Sequence, residues 1–249
     1  MRVYGALRQQ NRGPGRLPMN VFREVTKYAE RSNQLEVFDI SLNFINNNDC
    51  YLLIKDLPPQ IKELNLSYNR LSTECYKLLC DDLKNNYSLV SLNLQETEMS
   101  DLDLLADALM LCGVSGSLKY LNVTNNKASC KWEKCEKFFL FVREAKNMHV
   151  LRMNKLFGIA SDENLPEQDL LVQNMVDALA ESNSVHSLKA LEMMIPTQIT
   201  WVAANRFYSV MPNLINLSII CIGKVNKDER VLINSFLELY RSNGKTATC

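Results

Sequence analysis

The stretch KELNLSYNRL, residues 62–71, places Leu64 and Leu66 two apart, Asn69 three further on and Leu71 two beyond that. Residues two apart in an extended segment share one face, because successive strand side chains point to opposite sides. Leu64 and Leu66 therefore face a core, while Glu63, Asn65 and Ser67 face away from it. Asn69 falls where the chain leaves the strand and turns inward.

The same frame recurs along the chain. It fits Leu35, Phe38, Ile40, Asn43 and Ile45, then Ile61, Leu64, Leu66, Asn69 and Leu71. Leu89, Leu92, Leu94, Thr97 and Met99 follow, with threonine in the asparagine place, and then Leu118, Leu121, Val123, Asn126 and Ala128. Three further copies keep the apolar frame and lose the asparagine: Met148–Leu151–Met153 leads to Leu156, Leu188–Leu191–Met193 to Pro196, and Leu214–Leu217–Ile219 to Ile222. Successive starts lie 26, 28, 29, 30, 40 and 26 residues apart.

This pattern, over residues 35 to about 222, resembles the leucine-rich repeat, and periods near 28 with helices between strands resemble its ribonuclease-inhibitor-like subtype. The resemblance implies an α/β solenoid, a right-handed α/β horseshoe with a parallel sheet on the concave side and helices on the convex side. It also implies that the asparagine amide bonds backbone groups at the turn. Leu156, Pro196 and Ile222 lack that amide, so less regular turns are expected in the last three repeats.

The connecting segments read as helices. Ser72 is placed to cap one whose inward face is Cys75, Leu78, Leu79 and Leu83. Ser100 with Asp103 resembles a capping box. Ser129 opens a helix with Trp132, Cys135, Phe139 and Val142 inside, which leaves Phe138 and Phe141 off the main stripe. Residues 167–182 and 198–211 repeat the pattern, the latter with Ile199, Val202, Ala203, Phe207 and Val210 inward. The expected organisation is a basic arm at 1–19, one domain at 20–242 and a tail at 243–249. Within the domain a cap helix at 20–31 precedes about seven repeats over 35–225, and a C-terminal cap helix covers 228–241.

Composition narrows the class. The chain has 249 residues, 47% apolar and 22% charged, with 28 basic and 28 acidic side chains, so no global field favours nucleic acid or an anionic membrane. No apolar run reaches the roughly 18–20 residues of a membrane span. Eight cysteines at scattered spacings, with no secretory signal, read as reduced thiols in a cytoplasmic, intracellular setting. Residues 1–19 hold Arg2, Arg8, Arg12 and Arg16 and no acid. A docking arm and a flexible tail are both open for them, with mitochondrial import the lesser alternative.

Chemistry-bearing patterns are sparse. His149 and His186 have no nearby cysteine at ligand or nucleophile spacing, and Cys75/Cys80 and Cys130/Cys135 are five apart rather than three. Gly244-Lys245-Thr246 lacks the upstream glycine of a phosphate loop, since that place is Leu239. The N-x-S/T triplets at Asn65, Asn122 and Asn216 follow from the strand pattern, and Asn86 begins a fourth. Asp162, Glu163, Glu167 and Asp169 form an acidic cluster in a loop expected near 158–169, solvated or partner-contacting, without calcium-loop spacing. No enzyme, no cofactor and no metal site is expected.

The expected function is a protein–protein interaction module, an adaptor or structural subunit of a larger assembly whose partners are one or more proteins. Regulation of a partner enzyme such as a ribonuclease or small GTPase is the alternative that relatives of the fold suggest. Among outward strand positions, Gln95, Tyr120, Arg152 and Met194 depart from the small polar pattern, with Tyr68 and Lys155 at adjoining turns. Tyrosine and arginine are common interface anchors, which makes these six candidates for protein binding. Trp201 and Tyr208, seven apart on one helix, offer a competing surface on the convex side.

Overall fold

A computed structural model describes residues 23–25, 27–28, 31, 34–43, 45, 47–55, 57–86, 88–111, 113–126, 135–154, 165–184, 187–193, 201–210, 219–222, 238, 241–242 and 246–248, some of them by backbone alone. Its strands are β1 (Val37–Asp39), β2 (Glu63–Asn65), β3 (Ser91–Asn93), β4 (Tyr120–Asn122), β5 (Val150–Met153), β6 (Ala190–Met193), β7 (Ile219–Ile222) and β8 (Thr246–Thr248). The helices between them are α1 (Asn47–Ile54), α2 (Thr73–Leu83), α3 (Leu102–Leu111), α4 (Glu136–Glu144), α5 (Leu165–Ala180) and α6 (Trp201–Val210). All eight strands form one sheet in chain order, and every neighbouring pair is parallel. Strand and helix alternate along it, a solenoid-like α/β arrangement.

Register explains the leucine spacing. Phe38, Leu64, Leu92, Leu121, Leu151 and Leu191 are paired rung to rung across β1–β6, and all six are buried. Ile40, Leu66, Leu94, Val123, Met153 and Met193 follow two residues on and are buried as well. Each such side chain contributes roughly 1.5–3 kcal/mol of burial. The three-residue strands are extended by backbone bonds on both sides, for example Lys62 N to Glu36 O (2.7 Å) before the strand and Leu66 N to Asn93 O (3.0 Å) after it.

The asparagines staple one turn to the next. Asn69 Nδ2 donates to Leu66 O (2.9 Å) in its own turn and to Ile40 O (3.0 Å) in the preceding one. Its Oδ1 accepts from Asn43 N (3.1 Å) and Ile45 N (3.3 Å). Asn126 does the same one pair later, donating to Val123 O and Leu94 O and accepting from Thr97 N and Met99 N. Thr97 has no side-chain carbonyl to offer, and Leu71 N turns instead to the Thr97 backbone carbonyl at 3.2 Å. The residue before each stapling position has a left-handed backbone: Leu42, Tyr68, Glu96 and Asn125, at φ 61, 59, 52 and 56.

Several expectations are corrected. β7 pairs Ile220 with Leu191, so its register lies three residues later than the Leu217 frame. The run Ile219, Ile220, Cys221, Ile222 has more β-branched character than the sequence of residues 214–218, which explains the choice. Residues 246–248, expected as tail, form β8 on the edge of β7. Helix α1 was not anticipated between the first two strands. Helix α4 spans Glu136–Glu144, while the helix start expected at 129 lies outside the described residues; Phe138 and Phe141 are fully buried, part of the main face of α4. On α6 Val202 is 63% exposed, with Asn205, Arg206 and Ser209 on the same outer face, so it is not part of the inward stripe.

The helix ends are also specific. Ser72 caps α2 by accepting from Cys75 N at 3.2 Å. At α3 Asp101, not Ser100, takes the capping role, accepting from Leu104 N at 3.0 Å. Asp103 instead accepts from Phe138 N at the start of α4 (3.0 Å), where Cys135 supplies no side-chain cap. Burial raises its carboxyl above the usual range. Cys75 is disulfide-bonded, so the expectation of reduced thiols throughout fails there. Cys80 and Cys135 are buried thiols. The cap helix expected at 20–31 is helical at its described residues, whereas the one at 228–241 lies almost wholly outside them, as does the arm at 1–19.

Candidate functional site

The outward face of the sheet carries the polar residues of each strand. Much of that polarity is structural. Asp39 Oδ1 accepts from Ser41 N (3.0 Å) and Ser41 Oγ (2.8 Å), and Asn65 Oδ1 accepts from Ser67 N and Ser67 Oγ (3.1 and 2.7 Å). Asn93 and Asn122 do the same for Gln95 N and Thr124 N. These short Asp/Asn side chains close the turn that ends each strand. Their recurrence follows from the fold and by itself marks no site.

The larger residues on this face form one continuous strip. Gln95 Nε2 donates to Tyr68 Oη at 2.7 Å. Asn122 Nδ2 donates to Gln95 Oε1 at 3.2 Å and lies 3.4 Å from Tyr120 Oη. The guanidinium carbon of Arg152 stands 5.8 Å from the centre of the Tyr120 ring, within cation–π range. Arg152 Nε is 2.9 Å from Glu192 Oε1. Rung register causes the last contact, because Arg152 and Glu192 are paired on β5 and β6. With Arg152 41% exposed, the ion pair is worth at most about 1 kcal/mol and orients more than it stabilises.

Four of the eight residues singled out from sequence, Tyr68, Gln95, Tyr120 and Arg152, are therefore brought together. Lys155 and Met194 lie outside the described residues, as do the side chains of Trp201 and Tyr208, whose backbone belongs to α6. Asn122 and Glu192 were missed as members of the strip. Opposite charges at the same place in consecutive copies, Arg152 and Glu192, were the available signal for the second.

Beside the strip, the outward surface of β1–β4 dips into an open hollow of about 250 Å³, lined by Val37, Asp39, Glu63, Asn65, Ser91, Asn93 and Tyr120. At the strand-start rim, burial and the neighbouring Lys189 and Lys119 lower the His149 pKa, so its imidazole is neutral near pH 7. Cys80 is pushed up to about 12, chiefly by burial, and is unreactive as a thiolate. Among the described residues no three His, Cys, Asp or Glu side chains gather as metal ligands. None of the described helices is long and apolar enough to cross a membrane. No protein-family model matches the sequence, and no curated protein matches it.

Proposed function

We propose that the chain is a ribonuclease-inhibitor-like leucine-rich-repeat protein, a right-handed α/β horseshoe whose sheet lines the concave side, and that it acts without catalysis as a protein interaction module, an adaptor or structural subunit of a larger assembly. The repeat of strand, stapled turn and helix supports the family reading. The observation that carries the function is the strip Tyr68–Gln95–Asn122–Tyr120–Arg152–Glu192. It presents two tyrosines and an arginine, the side chains that dominate interface energetics, held in place by one another and spread across several strands. Pre-set side chains lose less entropy on binding.

The test is native size. Wild-type chain in gently prepared extract elutes well above a monomer, and the double variant Gln95→Ala with Arg152→Ala shifts toward the monomer while its circular dichroism is unchanged. A wild-type chain that elutes as a monomer overturns the interaction reading.

A further inference from the structure

The hollow on β1–β4 is built differently from the strip beside it. Its two charged side chains, Asp39 and Glu63, are both acidic. Neither has an ion-pair partner among the described residues, although the nearby Glu36 is paired with Lys62 at 2.6 Å and Glu192 with Arg152. The register sets Glu63 beside Val37, so that Asp39 and Glu63 are diagonal neighbours on the same face. On the opposite side stands Tyr120, whose ring already has one guanidinium, that of Arg152, within cation–π distance.

The amides add direction. Asn65 and Asn93 use Oδ1 to close their own turns. Each amide also has an NH₂ group, a pair of donors suited to carbonyl oxygens. The surface thus offers carboxylates for a cation, an aromatic wall for its flat face, and donors for a backbone. About 250 Å³ is below the roughly 300–1,000 Å³ of sites for drug-sized molecules and suits one side chain. Arginine matches all three features, because its guanidinium is planar, permanently charged and able to bridge carboxylates while stacking on a ring.

We infer that this hollow receives an arginine side chain from a segment of a partner protein, its guanidinium held by Asp39 and Glu63 against Tyr120. The inference rests on the reading of the outward face as a protein-binding surface and assigns part of that face a chemistry.

The experiment titrates full-length chain with the peptide Ac-Gly-Ser-Arg-Ser-Gly-NH₂ and its glutamate counterpart, following backbone amide shifts by NMR. The arginine peptide produces saturable shifts at Glu63, Ser91 and Tyr120, weakened by added salt. The glutamate peptide does not. Asp39→Asn with Glu63→Gln weakens the binding by about tenfold. This variant retains the turn, since asparagine occupies the same place in the next three copies, at Asn65, Asn93 and Asn122. Glu63→Lys, at an exposed position, abolishes the binding and guards against misfolding of the double variant. Equal shifts with both peptides, or unchanged affinity in these variants, overturns the inference. That result with the native assembly intact removes the arginine site alone, whereas a monomeric wild-type chain removes the interaction reading.

Discussion

Replacing Asn69 by alanine tests the turn staple, the feature that holds the stack in register. Asn69 is fully buried. The substitution removes the donor to Leu66 O and the acceptor for Ile45 N, and one bond each from Ile40 O and Asn43 N. Ile40 O keeps a second donor, Asn43 Nδ2 at 2.7 Å, so its loss is small. The others lie among buried residues, and each orphaned group costs about 1–3 kcal/mol. The expected destabilisation is about 3–5 kcal/mol. Asn65→Ala is the control. It deletes two bonds, to Ser67 N and Oγ; Ser67 is buried, but its hydroxyl can rotate to another partner, so a single N–H is orphaned and the cost is about 1–2 kcal/mol. Urea denaturation followed by circular dichroism gives both values, with slopes compared to confirm that the unfolded states match. An Asn69→Ala loss no larger than that of Asn65→Ala refutes the staple.

Thr97→Asn is expected to stabilise by about 1 kcal/mol, because it restores the carbonyl that Asn69 and Asn126 offer their preceding turns; a loss in the same denaturation assay contradicts the geometry. Leu42→Asn should add about 0.5–1 kcal/mol, since Leu42 is 46% exposed at φ 61 and asparagine tolerates the left-handed region better. Leu66→Ala should cost about 2–5 kcal/mol through the cavity it leaves in the second inward row. Stability should also fall in alkali. Burial raises the Cys80 thiol from 9.0 to about 12, so its contribution is complete below pH 9 and is lost as pH rises toward 12. Buried Tyr76, raised mainly by burial and donating to Asp101 O at 2.8 Å, acts in the same sense. Melting temperatures from pH 8 to 11 that show no decline, compared with Cys80→Ala, refute that assignment.

The inward rows were legible in the sequence because burial repeats at a fixed offset within each copy. Phe38, Leu64, Leu92, Leu121, Leu151 and Leu191 align by spacing alone, and they pair as expected. Features that depend on neighbours distant in sequence were not legible. Asp103 looked like a local box residue and instead caps a helix 35 residues away. Asn47–Ile54 has no helical period, and it buries Leu53 and Ile54 at its end, with packing on α2 to hold it. Phe138 and Phe141 looked peripheral on a single-helix wheel, yet α4 is covered by α3 and α5 on both sides. For the candidate site, departures from the strand consensus found four members, whereas their contacts required knowledge of which copies stand side by side.

The placement of Thr97 has a mechanical consequence. Buried amide clasps join the first turn to the second and the third to the fourth, through Asn69 and Asn126, but between the second and third the buried turn rests on main-chain contacts and packing. In an array whose members touch only their immediate neighbours, separation starts at the weakest joint. Within these four copies, load or partial denaturation should open the turns first between Leu71 and Thr97, splitting the two clasped pairs from each other.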